Sequence, residues 1–141
     1  MKFSTKDRYA LLLMVELASA TPGEYLPLKA VSDNQGISVK YLEQIVVQLS
    51  RAGFVISTRG AQGGYQLARH PSEYTVGDIL RITEGSLAPV ACLEHEPVDC
   101  PRVDECITLS FWRGLYNTIN NYVDSVTLED LVNNGTLNFS I

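Results

Sequence analysis

Apolar residues fill nearly every position from Tyr9 to Ala18, with no glycine or proline among them. That density predicts a mostly buried helix from about Lys6 to Ala20, ended by Thr21-Pro22-Gly23. A short second helix is expected from Leu28 to Asp33. Asn34-Gln35-Gly36 then makes a turn, because glycine takes positive φ at little cost. Ser38 is a good N-cap for a third helix, in which Leu42, Ile45, Val46 and Leu49 recur at helical spacing until Ala52-Gly53. The period then changes to two β-type runs, 54–58 and 65–68, joined by the glycine-rich stretch 59–64. Thr75-Val-Gly-Asp78 reads as a capping box that opens a helix running to Thr83 and stopping at Gly85.

Past Gly85, Pro89, Pro97 and Pro101 argue against regular structure. A long helix follows from about Thr108 to Ser125, where Leu109, Trp112, Tyr116, Ile119, Val123 and Val126 repeat at spacings of three and four. Leu115 and Tyr122 widen the stripe. Few apolar elements remain downstream to cover it, so the seam predicts a homodimer; the alternative is a stripe buried within the chain itself. A last capping box, Thr127-Leu-Glu-Asp130, opens a short helix that Gly135 would end.

Helix, turn, helix and glycine-tipped hairpin occur in the order of a winged helix-turn-helix. The expected fold class is mainly α with a small β-hairpin wing and a long C-terminal dimerisation helix. Composition, with 45% hydrophobic and 19% charged residues, is that of an ordinary soluble domain. No apolar stretch approaches eighteen residues and the N-terminus lacks a signal-peptide core, so a cytoplasmic protein in a reducing compartment, with no membrane partner, is expected.

The net charge of −5 alone speaks against nucleic acid. Its distribution changes that picture. Residues 1–70 carry eight Lys/Arg against five acids, and residues 71–141 carry three against eleven. A basic reading head joined to an acidic half would have this asymmetry. A helix starting at Ser38 aims backbone amides and a hydroxyl at a phosphate. Between its apolar positions it would expose Lys40, Tyr41, Glu43, Gln44 and Gln48. Gln44 can pair bidentately with adenine and Glu43 can accept from cytosine N4. Arg59, flanked by Gly60, Gly63 and Gly64, suits entry into a minor groove. For Lys40, Glu43 and Gln48 the plainer alternative is a solvated helix face. An enzyme is not expected, since neither His70 nor His95 belongs to a nucleophile–base constellation.

The only cysteines are Cys92, Cys100 and Cys106, spaced Cys-x7-Cys-x5-Cys. An odd number in a reducing compartment suits a soft metal better than a disulfide framework. Glu94, Glu96, Asp99, Asp104 and Glu105 surround them against a single Arg102. Their repulsion is expected to raise the thiol pKa values and to leave a metal as the compensating charge. A zinc site completed by His95 and a metal-free thiol switch remain open.

Ser4-Thr-Lys-x-Arg-Tyr-Ala-Leu11, Gly36-Ile-Ser-x-Lys-Tyr-Leu-Glu-Gln44 and Arg59-Gly-x-x-Gly-Gly-Tyr-x-Leu-Ala68 resemble the IscR-type family of bacterial winged-helix transcription regulators. Thr75-Val-Gly-Asp-Ile-Leu80 and Thr127-Leu-x-Asp-Leu131 extend the match along nearly the whole chain. The resemblance implies a homodimer with crossing C-terminal helices, reading a double-stranded, roughly palindromic operator. Its reading residues would be Ser38, Tyr41, Glu43 and Gln44, with Arg59 on the wing. It also implies an iron–sulfur cluster on Cys92, Cys100 and Cys106, with [2Fe-2S] favoured over [4Fe-4S] and the cell's iron–sulfur assembly machinery as donor. Two departures concern the fourth ligand. The first gap is seven residues where the family pattern has five, and Leu109 stands where that pattern has histidine. A carboxylate used by other members falls at Arg8, with Asp7 about 100° away around the helix. His95 is the candidate fourth ligand, beside the acids of the segment.

On this reading residues 1–85 form the DNA-binding domain, 86–107 the cluster loop, and 108–141 the dimerisation and short C-terminal helices. The expected function is cluster-controlled repression of iron–sulfur assembly genes. The alternatives are a nitric-oxide or redox sensor using the same cluster and a cluster-free regulator controlled by a partner protein.

Overall fold

The computed structural model describes residues 2–134 except Gln62, Glu96, Asp99, Cys100 and Val103. Gly135, expected to end the last helix, lies outside the described residues, as do Cys100, Glu96 and Asp99 of the expected cluster segment. Six α-helices and one hairpin occur among the described residues. They are α1 (Thr5–Ser19), α2 (Leu28–Gln35), α3 (Val39–Arg51), β1 (Val55–Thr58), β2 (Gly64–Leu67), α4 (Val76–Glu84), α5 (Leu109–Ser125) and α6 (Leu128–Asn134).

Local chemistry sets most of these boundaries. Ser4, Ser38 and Thr75 each accept a backbone N–H of the first turn that follows them, satisfying a donor with no partner inside the helix. Asn34 and Gln35, expected in the turn, continue α2 instead; the chain reverses only at Gly36, whose φ is 68°. His70 caps a 3-10 turn at Pro71–Glu73 that the apolar pattern does not announce.

The main core forms around α1. Ala10, Leu13, Met14 and Leu17 meet Val31, the α3 row Leu42, Ile45, Val46 and Leu49, and Ile79. Tyr74 is fully buried among them; its hydroxyl donates to the Phe54 carbonyl at 2.7 Å and accepts from the Arg69 amide at 3.0 Å. Those bonds tie the base of the wing to the core. The strands pair antiparallel with Val55 opposite Leu67 and Thr58 opposite Gly64, and Leu26 adds a bridge to Tyr65.

The C-terminal part returns to this core. Val76 donates to the Val126 carbonyl and Leu128 to that of Tyr74, and Leu128 is fully buried. A second core joins Leu80, Leu87 and Val123, with Tyr116, Ile119 and Phe3 packed against it. Part of the apolar seam of α5 is thus covered within the chain, through Tyr116, Ile119 and Val123, while Trp112 is half-buried. The physical reason is α4, which supplies the cover that the downstream sequence lacks. Ile107, Phe111 and Tyr122 are the apolar side chains left exposed on and beside α5.

Candidate functional site

The wall of α3 opposite its core row is polar and open. Ser38, Lys40, Glu43 and Gln44 are exposed, while Tyr41 is half-buried with its ring edge-on to Tyr9 at 5.5 Å. Ser38 Oγ accepts from the Tyr41 amide at 3.1 Å, which leaves its own proton free for a phosphate oxygen. Lys40 and Gln44 are one turn apart on one face, with Glu43 beside them. Gln48, expected to be exposed, is half-buried, and its Oε1 is buried without a hydrogen-bond partner among the described residues. Val47, which the sequence reading passes over, is 45% exposed on the polar face. Its register with Lys40 and Gln44 is the signal that could have found it.

The wing presents Arg59 to solvent. Gly60 has φ 105° and accepts from the Gly63 amide at 2.9 Å, which closes the tip. A Cβ on Gly63 would lie 2.6 Å from the Thr58 carbonyl oxygen, and one on Gly64 would lie 2.5 Å from the Leu26 backbone. These two glycines hold the hairpin shut and let β2 touch the strand-like residue Leu26. That is sufficient reason for both, and it fixes where Arg59 stands.

The cysteine segment joins α4 to α5. Cys92 is half-buried in a 3-10 turn, Ala91–Leu93, a piece of regular structure that the prolines argued against. Leu87, Leu93 and Leu109 are buried, so both ends of the segment are anchored. Cys92 and Cys106 are free thiols, and Cys106 is exposed. The Thr108 hydroxyl lies 3.4 Å from Cys106 Sγ. Its hydrogen bond, aided by local amides, holds that thiol below the usual range. This reverses the direction expected from the acids: donors in contact outweigh carboxylates whose charge water screens. The described residues contain no cluster of three or more metal-ligating side chains. His95 is exposed and lines a shallow cleft with Leu93, Glu94, Arg113, Tyr116 and Asn117. Asp7 faces inward, buried and engaged by Ser4 and Thr83. No helix of the described residues is long and apolar enough to cross a membrane.

A bidentate ion pair couples α4 to α5. Arg81 donates to both Asp124 oxygens at 2.7 and 3.1 Å and to Asn120 Oδ1 at 2.9 Å, and the bond to Asp124 raises its pKa.

Residues 3–134 match the Rrf2 family model, described as an iron-dependent transcriptional regulator. The IscR regulator of Pectobacterium atrosepticum is 36% identical over 134 residues, covering 95% of this chain and 80% of that protein. The solved structure of IscR from T. potens superposes with a TM-score of 0.78 at 38% identity, covering 96% of this chain and 88% of that one. The solved CymR of B. subtilis, described as its global cysteine regulator, gives 0.78 at 39% identity, covering 94% and 97%. With a winged-helix head whose polar α3 face stands clear of the core, and with this match across its length, the chain belongs to the Rrf2 family and is a DNA-binding transcriptional regulator rather than an enzyme.

Proposed function

We propose that this chain is a cytoplasmic, homodimeric repressor whose operator affinity is set by an iron–sulfur cluster on Cys92, Cys100 and Cys106, and that it controls iron–sulfur cluster assembly genes. The observation that carries the reading is the position of the cysteines. They occupy the one connection between α4, packed on the reading head, and α5. Ser38, Lys40, Tyr41, Glu43 and Gln44 approach the major groove, and Arg59, set by Gly60, Gly63 and Gly64, approaches the minor groove.

The donor chemistry fits a cluster. Cys92 and Cys106 are unpaired, and the Thr108 hydrogen bond favours the thiolate form that ligates metal. His95 is the candidate fourth ligand. A bound cluster, [2Fe-2S] in preference to [4Fe-4S] and delivered by the assembly machinery, would supply iron–thiolate bonds across the segment and a redox-active centre. The rest belongs to the chain. Leu87 and Leu109 anchor the segment, and Arg81 holds the far end of α5 to α4 through Asp124, so a change in the segment's span would bear on the start of α5 while its far end stays on the head.

Partner contact falls on the exposed side of α5. Phe111, Leu115, Thr118 and Tyr122 lie within about 60° of one another around its axis, with Ile107 preceding them. Two heads paired there would present two α3 helices to a palindromic site.

Anaerobically isolated protein is expected to be coloured, and Cys92→Ala, Cys100→Ala and Cys106→Ala each to abolish the visible absorption. Retention of that absorption in all three variants would overturn the cluster assignment. A second reading, a cluster-free regulator controlled by a partner protein, draws on the similarity to CymR and on the exposed Cys106 thiol, which the Thr108 hydrogen bond holds below its usual pKa. Colourless protein that binds DNA only with a partner present would favour it.

A further inference from the structure

An apolar side chain stands in the middle of the polar face of α3. At 100° per residue, Val47 lies about 20° from Lys40 around the axis, between the directions of Glu43 and Gln44. It lies about 150° from the mean direction of Leu42, Ile45, Val46 and Leu49. Those four are at most 1% exposed, whereas Val47 is 45% exposed and belongs to neither core of the described residues. Helix stability does not favour valine there either, because a β-branched side chain loses rotamer freedom in a helix. Its place along the axis is informative too. Val47 is about 4.5 Å beyond Gln44, a little more than the roughly 3.4 Å between successive phosphates of one strand along the duplex axis.

We propose that Val47 is a base-reading residue whose methyl groups pack against the 5-methyl of a thymine in the major groove, beside the base pair read by Gln44. Thymine alone among the four bases carries a methyl on its major-groove edge, and apolar side chains recognise it by contact. The neighbours divide the remaining work. Glu43 and Gln44, four and three residues earlier, offer hydrogen-bonding groups to base edges. Arg51, one turn later and exposed, is placed to hold a phosphate. Val47 is the apolar member of this face, and it adds discrimination between thymine and cytosine at one position of each half-site. The inference rests on α3 being the reading helix.

The test uses full-length protein and a duplex selected by that protein from a random pool. Each thymine is replaced in turn by uracil, which removes only the methyl, and binding is followed by fluorescence anisotropy. Wild-type protein is expected to lose three- to tenfold in affinity at one or two thymines per half-site. Val47→Ala should lose that penalty at the same positions while its circular dichroism remains unchanged. The proposal is overturned if Val47→Ala keeps the wild-type penalties, if no thymine shows one, or if the selected half-site has no thymine. Selection with Glu43→Ala and Gln44→Ala separates the two levels. If both variants select the wild-type sequence, α3 is not the reading helix and Val47 falls with it. If they select altered sequences and uracil has no effect, only the role of Val47 fails.

Discussion

Asp7 sits fully buried in the first turn of α1, and both of its carboxylate oxygens are engaged. One accepts from the Ser4 amide at 3.0 Å to complete a capping box, and the other accepts from the Thr83 hydroxyl at 2.6 Å, near the end of α4. Burial pushes this carboxyl up, but hydrogen bonds from Glu84, Thr83 and Ser4 together hold it below its usual range. Glu84, bonded to Asp7, is held above its own. The sign follows. A depressed acid stabilises the fold above its unfolded pKa, about 3.9, and loses that contribution as pH falls through the folded value. Glu84 acts in the opposite sense, as its contribution is lost when pH rises through its raised value. Asp7→Ala is therefore expected to cost about 1–3 kcal/mol near neutral pH, because the Thr83 hydroxyl and the Ser4 amide lose their acceptor. The gap from wild type should narrow on acidification as Asp7 itself protonates. Thermal melts at neutral and acidic pH check this; equal melting temperatures at neutral pH would contradict it.

At the scale of elements, the junction of α4 with α5 decides how the head meets the rest of the chain. Gly77 makes the close approach possible: a Cβ there would lie 2.1 Å from Asp124 Oδ1, 2.7 Å from an Arg81 guanidinium nitrogen and 3.0 Å from a Val123 methyl. Gly77→Ala should force these groups aside and weaken the Arg81–Asp124 pair, at about 1–3 kcal/mol by analogy with other overpacked sites. Chemical denaturation checks the cost, and a variant as stable as wild type would show that the junction yields freely. The same junction separates what was legible in the sequence from what was not. Ser38, Gly36 and the capping boxes at Thr75 and Thr127 act within a few residues, so the helices, the turn and the hairpin could be read locally. Which face of α5 is covered depends on Arg81 meeting Asp124, 43 residues away, and periodicity carries no such information. The inward turn of Asp7 is likewise tied to Thr83, 76 residues away. At the candidate site the polar face of α3 was legible because exposure follows from the apolar row alone. Val47 was missed because apolar residues are read first as core.

At the scale of the whole molecule, one face of α5 is spent on the chain's own fold and another is exposed. Phe111 is 62% and Tyr122 70% exposed, large apolar area for a helix otherwise packed on α4. Phe111→Glu is expected to convert a dimer to a monomer in analytical ultracentrifugation, with little change in the helical circular dichroism, since Phe111 is outside both cores. A variant that remains dimeric would move the interface elsewhere. A dimer joined through α5 would also give the cysteine segment leverage, because the segment ends where that helix begins. The central claim is that the state of this segment sets operator affinity. The most direct test is a fluorescence-anisotropy titration of one selected duplex, at fixed salt, with anaerobically isolated protein before and after removal of its iron. Dissociation constants at least tenfold apart are expected, about 1.4 kcal/mol of coupling, with no such difference in a variant with Cys92, Cys100 and Cys106 all replaced by alanine. Equal affinity in the two states of the wild-type protein would contradict it.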